Sequence, residues 1–385
     1  YNTIMKKNNH TIIIGGGASG LMVASLLPPK SAILIESNTK LGAKLLVSGG
    51  GKCNVTNDSV KTSNYLGDSD FIKNVIGKFD QFALISWLSA KGLNLTARND
   101  SQYFCSKNAK EIVSLLEHEA SKQTIIKNER VIGVEQYSGG FVVTTNRQKI
   151  KASKVVVASG GLSYPLLGAS DIGFAVAQNM GHSISKLAPA LVGFTLQKEQ
   201  FFLKELSGIS IPYVLIKIKD KTCKGSLLFA HKGISGLGVL DASLYWEKGS
   251  ISIDFLPDFN WKQIADSKKI LSTILPLPKG FLKAFLGHLQ IPNKPFRELS
   301  IESQTKLKDN IHNYTFAPAG TFGYQKAEVT KGGVATHEID SETMMSKKIK
   351  NLYFVGEVLD VTGEIGGYNL QWAFSSAFVC ASRLR

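Results

Sequence analysis

Residues 11–20 read TIIIGGGASG, and this stretch decides the fold. Its first four residues are β-branched, which indicates a short buried strand of a parallel sheet. Gly15, Gly17 and Gly20 follow at the GxGxxG spacing, and the run ASGLMVASLL predicts a helix over 18–27. In such a turn the first glycine permits the bend, the second lets the backbone approach a pyrophosphate, and the third lets helix and strand pack closely. The N–H groups at the start of the helix favour phosphate binding.

The next residues supply the context that a lone glycine motif lacks. Residues 31–37, SAILIES, predict a second strand that ends in Glu36. A carboxylate about twenty residues past the first glycine is the usual partner of a ribose hydroxyl in dinucleotide-binding folds. A glycine-rich turn without a ligand would not explain the position of Glu36. The whole unit therefore predicts a Rossmann-type dinucleotide site.

Length and composition predict a large α/β protein. The 385 residues allow two or three domains, and a hydrophobic fraction of 43% with 36 glycines fits an α/β fold with many tight turns. The four cysteines show neither CxxC pairing nor metal-ligand spacing, so we expect reduced thiols and no metal site. No stretch approaches the ~20 apolar residues of a membrane span, and no cleavable signal is visible, so we expect a cytoplasmic protein without membrane contact.

The net charge of +15 is large for an enzyme. It favours a polyanionic partner, most simply nucleic acid. A merely solvated basic surface is the alternative, and composition does not decide between the two.

Residues 40–57, KLGAKLLVSGGGKCNVTN, predict a loop without regular helix or strand, whose backbone approaches a flat ligand. Lys44 and Lys52 are candidates for neutralising phosphates. Cys53 is either a proton donor or a small packed side chain.

Periodicity predicts the remaining elements of the first part of the chain. Helices are predicted over 71–90, 108–122 and 170–181, and strands over 129–136, 140–145 and 154–158. The last of these strands runs into Gly160 and Gly161, which repeats the arrangement of the first glycine turn and brings backbone to a cofactor.

The character of the sequence changes at Pro189, and residues 190–255 predict strands over 212–219, 224–230 and 250–256. From 261 to 312 the pattern is helical and interrupted by prolines. This helical part is rich in lysine: Lys262, Lys268, Lys269, Lys279, Lys283, Lys294, Lys306 and Lys308.

The C-terminal part returns to the first domain. It predicts a strand over 328–334, a strand over 351–356 leading to Glu357, a glycine loop GEIGGY at 363–368, and a helix over 369–383. The Glu357 carboxylate can accept a hydrogen bond from a ribityl hydroxyl of a flavin. The helix N-terminus can stabilise negative charge at the N1/C2=O edge of a reduced flavin, which favours FAD over NAD as the bound cofactor.

Together these elements predict a discontinuous α/β fold. A Rossmann-type FAD-binding domain, residues 1–188 and 323–385, is interrupted by a β-rich insert, residues 189–258, and a small basic helical subdomain, residues 259–322.

The segments GGGASG, SGGGKCNVTN, ASGGLSYP, LLFAHKGISG and AEVTKGGV…LYFVGEVLDVTGEIGGYNLQWAF resemble one family, the BaiN/YhiN-like (RdsA-like) flavoproteins, over nearly the whole chain. The resemblance implies a two-part FAD domain with a β-rich insert and reduction of carbon–carbon double bonds. One branch of the family is linked to bile-acid enones and another to dihydrouridine in large-subunit ribosomal RNA. Lys52 stands where Arg is expected, which weakens bidentate phosphate binding there. Cys105 stands where Pro is expected.

The expected FAD is non-covalent, since no Cys or His lies in a recognisable attachment motif. We expect it to be bound by Gly15, Gly17, Ala18, Ser19, Gly20, Glu36, Lys44, Gly50, Gly51, Asn54, Gly160, Gly161, Gly356, Glu357, Gly366, Gly367, Asn369 and Leu370.

The leading functional hypothesis is an FAD enzyme that passes hydride from NAD(P)H to C6 of a uracil in ribosomal RNA while an acid protonates C5. Cys53 is the first candidate for this acid, followed by Tyr164, His231 and Tyr368, although His231 also fits a structural role. No second GxGxxG motif is present, so NAD(P)H is expected to bind transiently.

Two alternatives stay open. One is a reductase of small-molecule enones, in which the lysines are incidental, and the other is a non-catalytic flavin-binding RNA or assembly factor. Salt-dependent RNA binding is expected of the ribosomal RNA reductase and of the RNA-binding factor, but not of the enone reductase.

Overall fold

The computed structural model describes residues 3–4, 10–98 and 101–385. The chain divides into two compact units, Tyr1–Ala188 with Val329–Arg385, and Pro189–Glu328. The predicted three-part division, with boundaries after residues 188, 258 and 322, stays a prediction.

The first unit is built on a five-stranded parallel sheet. Its order is Leu352–Phe354, Lys154–Val157, Thr11–Ile14, Ala32–Ile35 and Thr124–Ile126. All four residues of Thr11–Ile14 are buried, as expected for the central strand of a sheet with two covered faces. The predicted Rossmann-type core is therefore confirmed, including the return of the C-terminal strand to the sheet.

The described residues of this unit form seven helices: Ala18–Leu26, Ala43–Gly51, Ser69–Lys78, Gln81–Ala90, Lys110–Ala120, Ile172–Asn179 and Tyr368–Leu384. Short 3-10 turns lie at Thr62–Asn64, Pro165–Leu167, Thr336–Glu338 and Gly356–Val358. The last helix is buried along most of its length, including Trp372, Phe374 and Cys380, so it forms part of the core.

Smaller sheets complete the first unit. One runs Thr3–Ile4, Lys149–Ala152, Gly140–Thr145, Val131–Tyr137, and another runs Asn54–Asn57, Gln102–Cys105, Leu95–Arg98. Tyr65–Leu66 pairs with Thr362–Gly363. Further short strands lie at Ala188–Ala190 and Val329–Lys331.

Two predictions for this unit were wrong. Residues 40–57 are not a loop throughout, because Ala43–Gly51 begins as a helix and Asn54–Asn57 is a strand. The helix loses its regular geometry at Ser48, Gly49 and Gly50. Residues 71–90 form two helices rather than one, because Asp80 caps the second helix by accepting a hydrogen bond from the Ala83 N–H (2.8 Å).

The second unit contains a seven-stranded antiparallel sheet. Its order is Tyr314–Phe316, Ile251–Asp254, Ser210–Ile218, Lys221–Ala230, Gly233–Ser235, Phe194–Thr195, Gly320–Thr321. The helices are Leu237–Tyr245, Leu271–Ile274, Lys279–Leu289 and Ile301–His312, and 3-10 segments lie at Lys198–Leu206, Trp261–Ile264 and Phe296–Glu298.

Aromatic packing holds helices against this sheet. Phe229 on the sheet stacks on Phe281 with ring centroids 5.5 Å apart, and Phe255 packs on both Phe281 and Phe285. The helix Leu237–Tyr245 was not predicted. It approaches the sheet so closely that a Cβ at Gly225 would lie 2.7 Å from the Gly238 nitrogen.

Candidate functional site

The glycine turn after Thr11–Ile14 is shaped by two close backbone contacts. Gly15 has φ +105°, and a Cβ there would lie 2.6 Å from the Ala158 carbonyl oxygen. A Cβ at Gly20 would lie only 1.9 Å from the Gly15 carbonyl oxygen. These two positions therefore require glycine for packing within the protein.

Gly17 differs, because a Cβ built there meets no protein atom within 4 Å. It occupies the position just before the helix Ala18–Leu26, where N–H groups lack helical partners. The turn thus leaves open space at the helix N-terminus, as a phosphate-binding turn requires.

Glu36 lies at the end of the second strand and is buried. Its Oε2 accepts from the Gly16 N–H (2.7 Å), and its Oε1 accepts from the Asn38 N–H (2.8 Å) and the Ser37 hydroxyl (3.1 Å). The carboxylate is therefore fixed beside the glycine turn. Its proposed contact with a ribose would add to these bonds.

Lys44 and Glu357, 313 residues apart in sequence, form an ion pair with 2.5 Å between Nζ and Oε2. The other Glu357 oxygen accepts from the Thr330 N–H (2.9 Å). A Cβ at Gly161 would lie 2.7 Å from that same oxygen, so a glycine is needed there. The pair joins the helix that begins at Ala43 to the turn after Leu352–Phe354, and Thr330 ties that turn to the strand Val329–Lys331.

Thr330 is a residue that the sequence analysis missed. Its buried hydroxyl accepts from the Leu162 N–H (2.8 Å) and the Ser163 N–H (3.1 Å), which fixes the loop after Lys154–Val157. In that loop Gly160 has φ +72° and open space at its Cβ position. No sequence signal in EVTKGGV links Thr330 to a loop 168 residues away.

Ser159, in the same loop, was also missed. Its hydroxyl oxygen is buried and has no hydrogen-bond partner in the described part of the chain. A Cβ at Gly173 would lie 2.1 Å from this oxygen, so the hydroxyl packs against the start of the helix Ile172–Asn179 and requires a glycine there.

Hydrogen bonds join the strand Asn54–Asn57, which follows Gly49–Gly51, to the C-terminal glycine loop and to the helix after it. The Thr56 hydroxyl donates to Gln371 Oε1 (2.6 Å), and Asn57 Nδ2 donates to the Gly366 carbonyl (3.1 Å). A Cβ at Gly367 would lie 2.7 Å from the Thr56 backbone. This strand therefore lies against the N-terminus of the helix Tyr368–Leu384.

Asn369, predicted to bind the cofactor, makes two bonds within its own loop. Its Oδ1 accepts from the Gly363 N–H and its Nδ2 donates to the Gly363 carbonyl, both at 2.8 Å. Its side chain thus shapes the GEIGGY loop. The Gly356 N–H donates to the Ser376 hydroxyl (3.0 Å), which places Gly356 against the same helix.

The four candidate proton donors have different environments. Cys53 is completely buried, and its contact with Cys105 together with burial raises the pKa of its thiol. Tyr368 is buried at the first turn of the last helix, and Tyr164 is half-buried with a left-handed backbone (φ +63°) in the loop after Gly161. His231 is exposed and belongs to the second unit.

The residues of the first unit fit a dinucleotide. Gly17, Gly50 and Gly160 each have open space at the Cβ position, so backbone can approach a ligand at all three. Among the described residues, no group of three or more His, Cys, Asp or Glu side chains could hold a metal ion. Over the same residues, no helix is long and apolar enough to cross a membrane.

Comparison with known proteins extends these observations. The family model described as "HI0933-like protein Rossmann domain" matches residues 9–383. The chain is 38% identical over 368 residues to a "Ribosomal RNA dihydrouridine synthase" of Haemophilus influenzae, covering 91% of this chain and 92% of that protein. It is 37% identical to the Escherichia coli protein of the same name, covering 92% of each.

A more distant relative is the "3-dehydro-bile acid delta(4,6)-reductase" of Clostridium scindens, 30% identical over 90% of each chain. Among solved structures, E. coli quinol fumarate reductase FrdA resembles the chain with a TM-score of 0.50 at 14% identity, covering 98% of this chain and 70% of that one. This likeness concerns the fold alone.

Proposed function

Because the chain belongs to the HI0933-like Rossmann family, we propose that it is an FAD-dependent oxidoreductase that reduces a uridine of large-subunit ribosomal RNA to dihydrouridine with electrons from NAD(P)H. The observation that carries the proposal is the similarity to two proteins named ribosomal RNA dihydrouridine synthase, at 38% and 37% identity over about nine-tenths of each chain.

FAD, when bound, supplies the hydride chemistry. We assign its pyrophosphate to the open space at Gly17 and the helix N-terminus, and its adenosine ribose to Glu36. Glu357 is assigned to its polar linker, and the N-terminus of Tyr368–Leu384 to the electron-rich edge of the flavin.

The protonation of C5 needs an acid that reaches the substrate. The raised pKa of Cys53 keeps its proton at neutral pH, but the thiol is enclosed on all sides. We therefore rank Tyr164 and Tyr368 above Cys53, since Tyr164 is half-buried in the loop after Gly161 and Tyr368, the last residue of GEIGGY, begins the last helix. His231 stays a candidate from the second unit.

Ribosomal RNA is the proposed partner of the basic second unit. Residues 259–322 contain nine lysines and arginines against four carboxylates. Among the described residues, none of the eight lysines named for this segment forms an ion pair. Such unpaired cations suit phosphate contacts, which position an RNA without reading its sequence.

The decisive experiment is mass spectrometry of ribosomal RNA nucleosides from cells with and without this gene. Loss of a dihydrouridine on deletion, and its formation in vitro from unmodified RNA, FAD-loaded protein and NADH or NADPH, would support the proposal. Unchanged nucleosides together with no turnover in vitro would contradict it.

The second candidate is reduction of a small-molecule enone, which the 30% identity to the bile-acid reductase favours. An assay of NAD(P)H oxidation with steroid enones in the absence of RNA separates the two. Turnover of the enone without any effect on RNA would make this candidate the better one.

A further inference from the structure

The small sheet beside the predicted flavin loop carries two side-chain amides: Asn54, predicted from the sequence to bind FAD, and Gln102, which has no role in the proposed function. Asn54 and Gln102 lie on paired strands, with 3.0 Å between their amides. The Asn54 amide has a partner at both ends when it is turned around. Its oxygen then accepts from the Gly367 N–H (3.3 Å), and its nitrogen donates to the Thr56 carbonyl (3.2 Å). The Gln102 oxygen lies 3.0 Å from the turned Asn54 oxygen, and two amide oxygens cannot share a hydrogen bond, so the Gln102 amide has to turn as well, which places its nitrogen as donor toward the Asn54 oxygen.

This arrangement leaves part of the half-buried Gln102 amide available. With both amides turned, the oxygen and the second N–H of Gln102 have no partner among the residues that the structure describes, whereas with neither amide turned the oxygen accepts from Asn54 and both N–H groups are available. An amide with both groups available presents an acceptor beside a donor, the pattern with which Asn and Gln pair with the edges of bases.

An aromatic ring and a cation lie in the same sheet. The Arg98 guanidinium lies 5.5 Å from the centroid of the Phe104 ring, and a Cβ at Gly49 would be 3.1 Å from an edge atom of that ring. The next residue, Gly50, has open space at its Cβ position. A planar ligand beside this loop would therefore have an aromatic neighbour, a positive charge and an amide edge.

We propose that Gln102, held by Asn54 and flanked by Phe104 and Arg98, recognises the edge of a pyrimidine-2,4-dione. Such an edge places an N–H donor beside a carbonyl acceptor, which complements the acceptor and donor of the amide. Two molecules of the proposed reaction carry this edge, the flavin ring system and the substrate uracil. The inference therefore rests on the proposed function.

The test compares Gln102→Met, which keeps the size but removes the amide, with Gln136→Met, the same change at an exposed strand position of the same unit. Gln102→Glu serves as a second variant of nearly the same shape that retains the acceptor and loses the donor. Thermal unfolding of all three confirms that they are folded. Two readouts follow: FAD affinity with the visible absorption spectrum, and KM for unmodified ribosomal RNA in NAD(P)H-dependent dihydrouridine formation.

If Gln102 binds the flavin, Gln102→Met weakens FAD binding roughly tenfold or more and shifts the flavin absorption bands. If it binds the substrate, FAD affinity and spectrum match the control while KM for RNA rises roughly tenfold or more. The inference is overturned if both readouts match Gln136→Met. If the proposed function is wrong, the wild-type protein itself forms no dihydrouridine. FAD affinity then remains as the readout, and the inference is overturned if Gln102→Met binds FAD as Gln136→Met does.

Discussion

The two glycines Gly17 and Gly20 are three residues apart, yet the structure predicts opposite consequences of adding a methyl group. At Gly17 the methyl of an alanine enters space free of protein atoms within 4 Å, and the backbone (φ −83°, ψ −164°) suits any residue. We expect Gly17→Ala to leave the unfolding free energy of the apoprotein within about 1 kcal/mol of wild type, since the substitution mainly restricts the unfolded chain.

FAD binding should respond differently. The methyl occupies the space assigned to the pyrophosphate and blocks the approach of backbone N–H groups. Loss of one or two hydrogen bonds to a charged group, at about 1.5–3 kcal/mol each, weakens binding by at least roughly tenfold. Gly20→Ala instead places a methyl 1.9 Å from the Gly15 carbonyl oxygen, so helix and strand must separate, at a cost of about 3 kcal/mol or more.

Urea denaturation of the apoproteins and fluorescence titration with FAD measure the two quantities separately. The reasoning fails if Gly17→Ala binds FAD as wild type does, because the open space would then not be the pyrophosphate site. It also fails if Gly17→Ala is destabilised as much as Gly20→Ala.

Three further predictions concern charge. Titration with FAD should show that Glu36→Ala loses roughly 1.5–3 kcal/mol of binding free energy. Glu36→Gln should lose less, because its amide oxygen still accepts from the Gly16 N–H. If both variants bind FAD as tightly as wild type, Glu36 does not belong to the site. Changing Lys279, Lys283 and Lys294 of the second unit to Glu should weaken binding to RNA of every sequence and reduce the salt dependence of binding, while the FAD content stays unchanged. The control changes Lys73, Lys110 and Lys149 of the first unit to Glu and should have little effect on RNA binding. Burial raises the pKa of Glu338, but hydrogen bonds from Lys348 and Ser183 outweigh this and lower it to about 2. The ionised form of Glu338 therefore stabilises the fold above the unfolded pKa of about 4.3, and this contribution should be lost as the pH falls toward 2. Glu338→Gln should make the unfolding free energy less dependent on pH in this range, and an unchanged pH dependence would disprove the assignment.

The sequence predicted those parts of the fold that depend on neighbouring residues. The strand at Thr11–Ile14 and the helix from Ala18 followed from β-branching, glycine spacing and helix propensity over a few residues. The capping residue Asp80 was a readable signal that the prediction of one helix over 71–90 overlooked.

Other features depend on residues that are distant in sequence. The helix Leu237–Tyr245 lies in a stretch predicted as β, and it packs where Gly225, on a different element, offers no side chain. The candidate site also depends on residues that are distant in sequence. Lys44 pairs with Glu357, and Thr330 accepts from the loop after Gly161, only once the sheet has folded. Lys44 and Glu357 could be proposed as ligand contacts from their motifs, but their pairing with each other could not, and Thr330 was not identified from the sequence at all.

The position of Leu352–Phe354 in the parallel sheet affects how the chain folds during synthesis. This strand pairs with Lys154–Val157, which leaves the ribosome almost two hundred residues earlier. Until then the edge of Val155–Val157 that later pairs with Leu352–Phe354 has no partner, and neither the Lys44–Glu357 ion pair nor the final helix has formed. A nascent chain that stalls before residue 352 therefore presents an apolar sheet edge, the feature most prone to pairing with another chain.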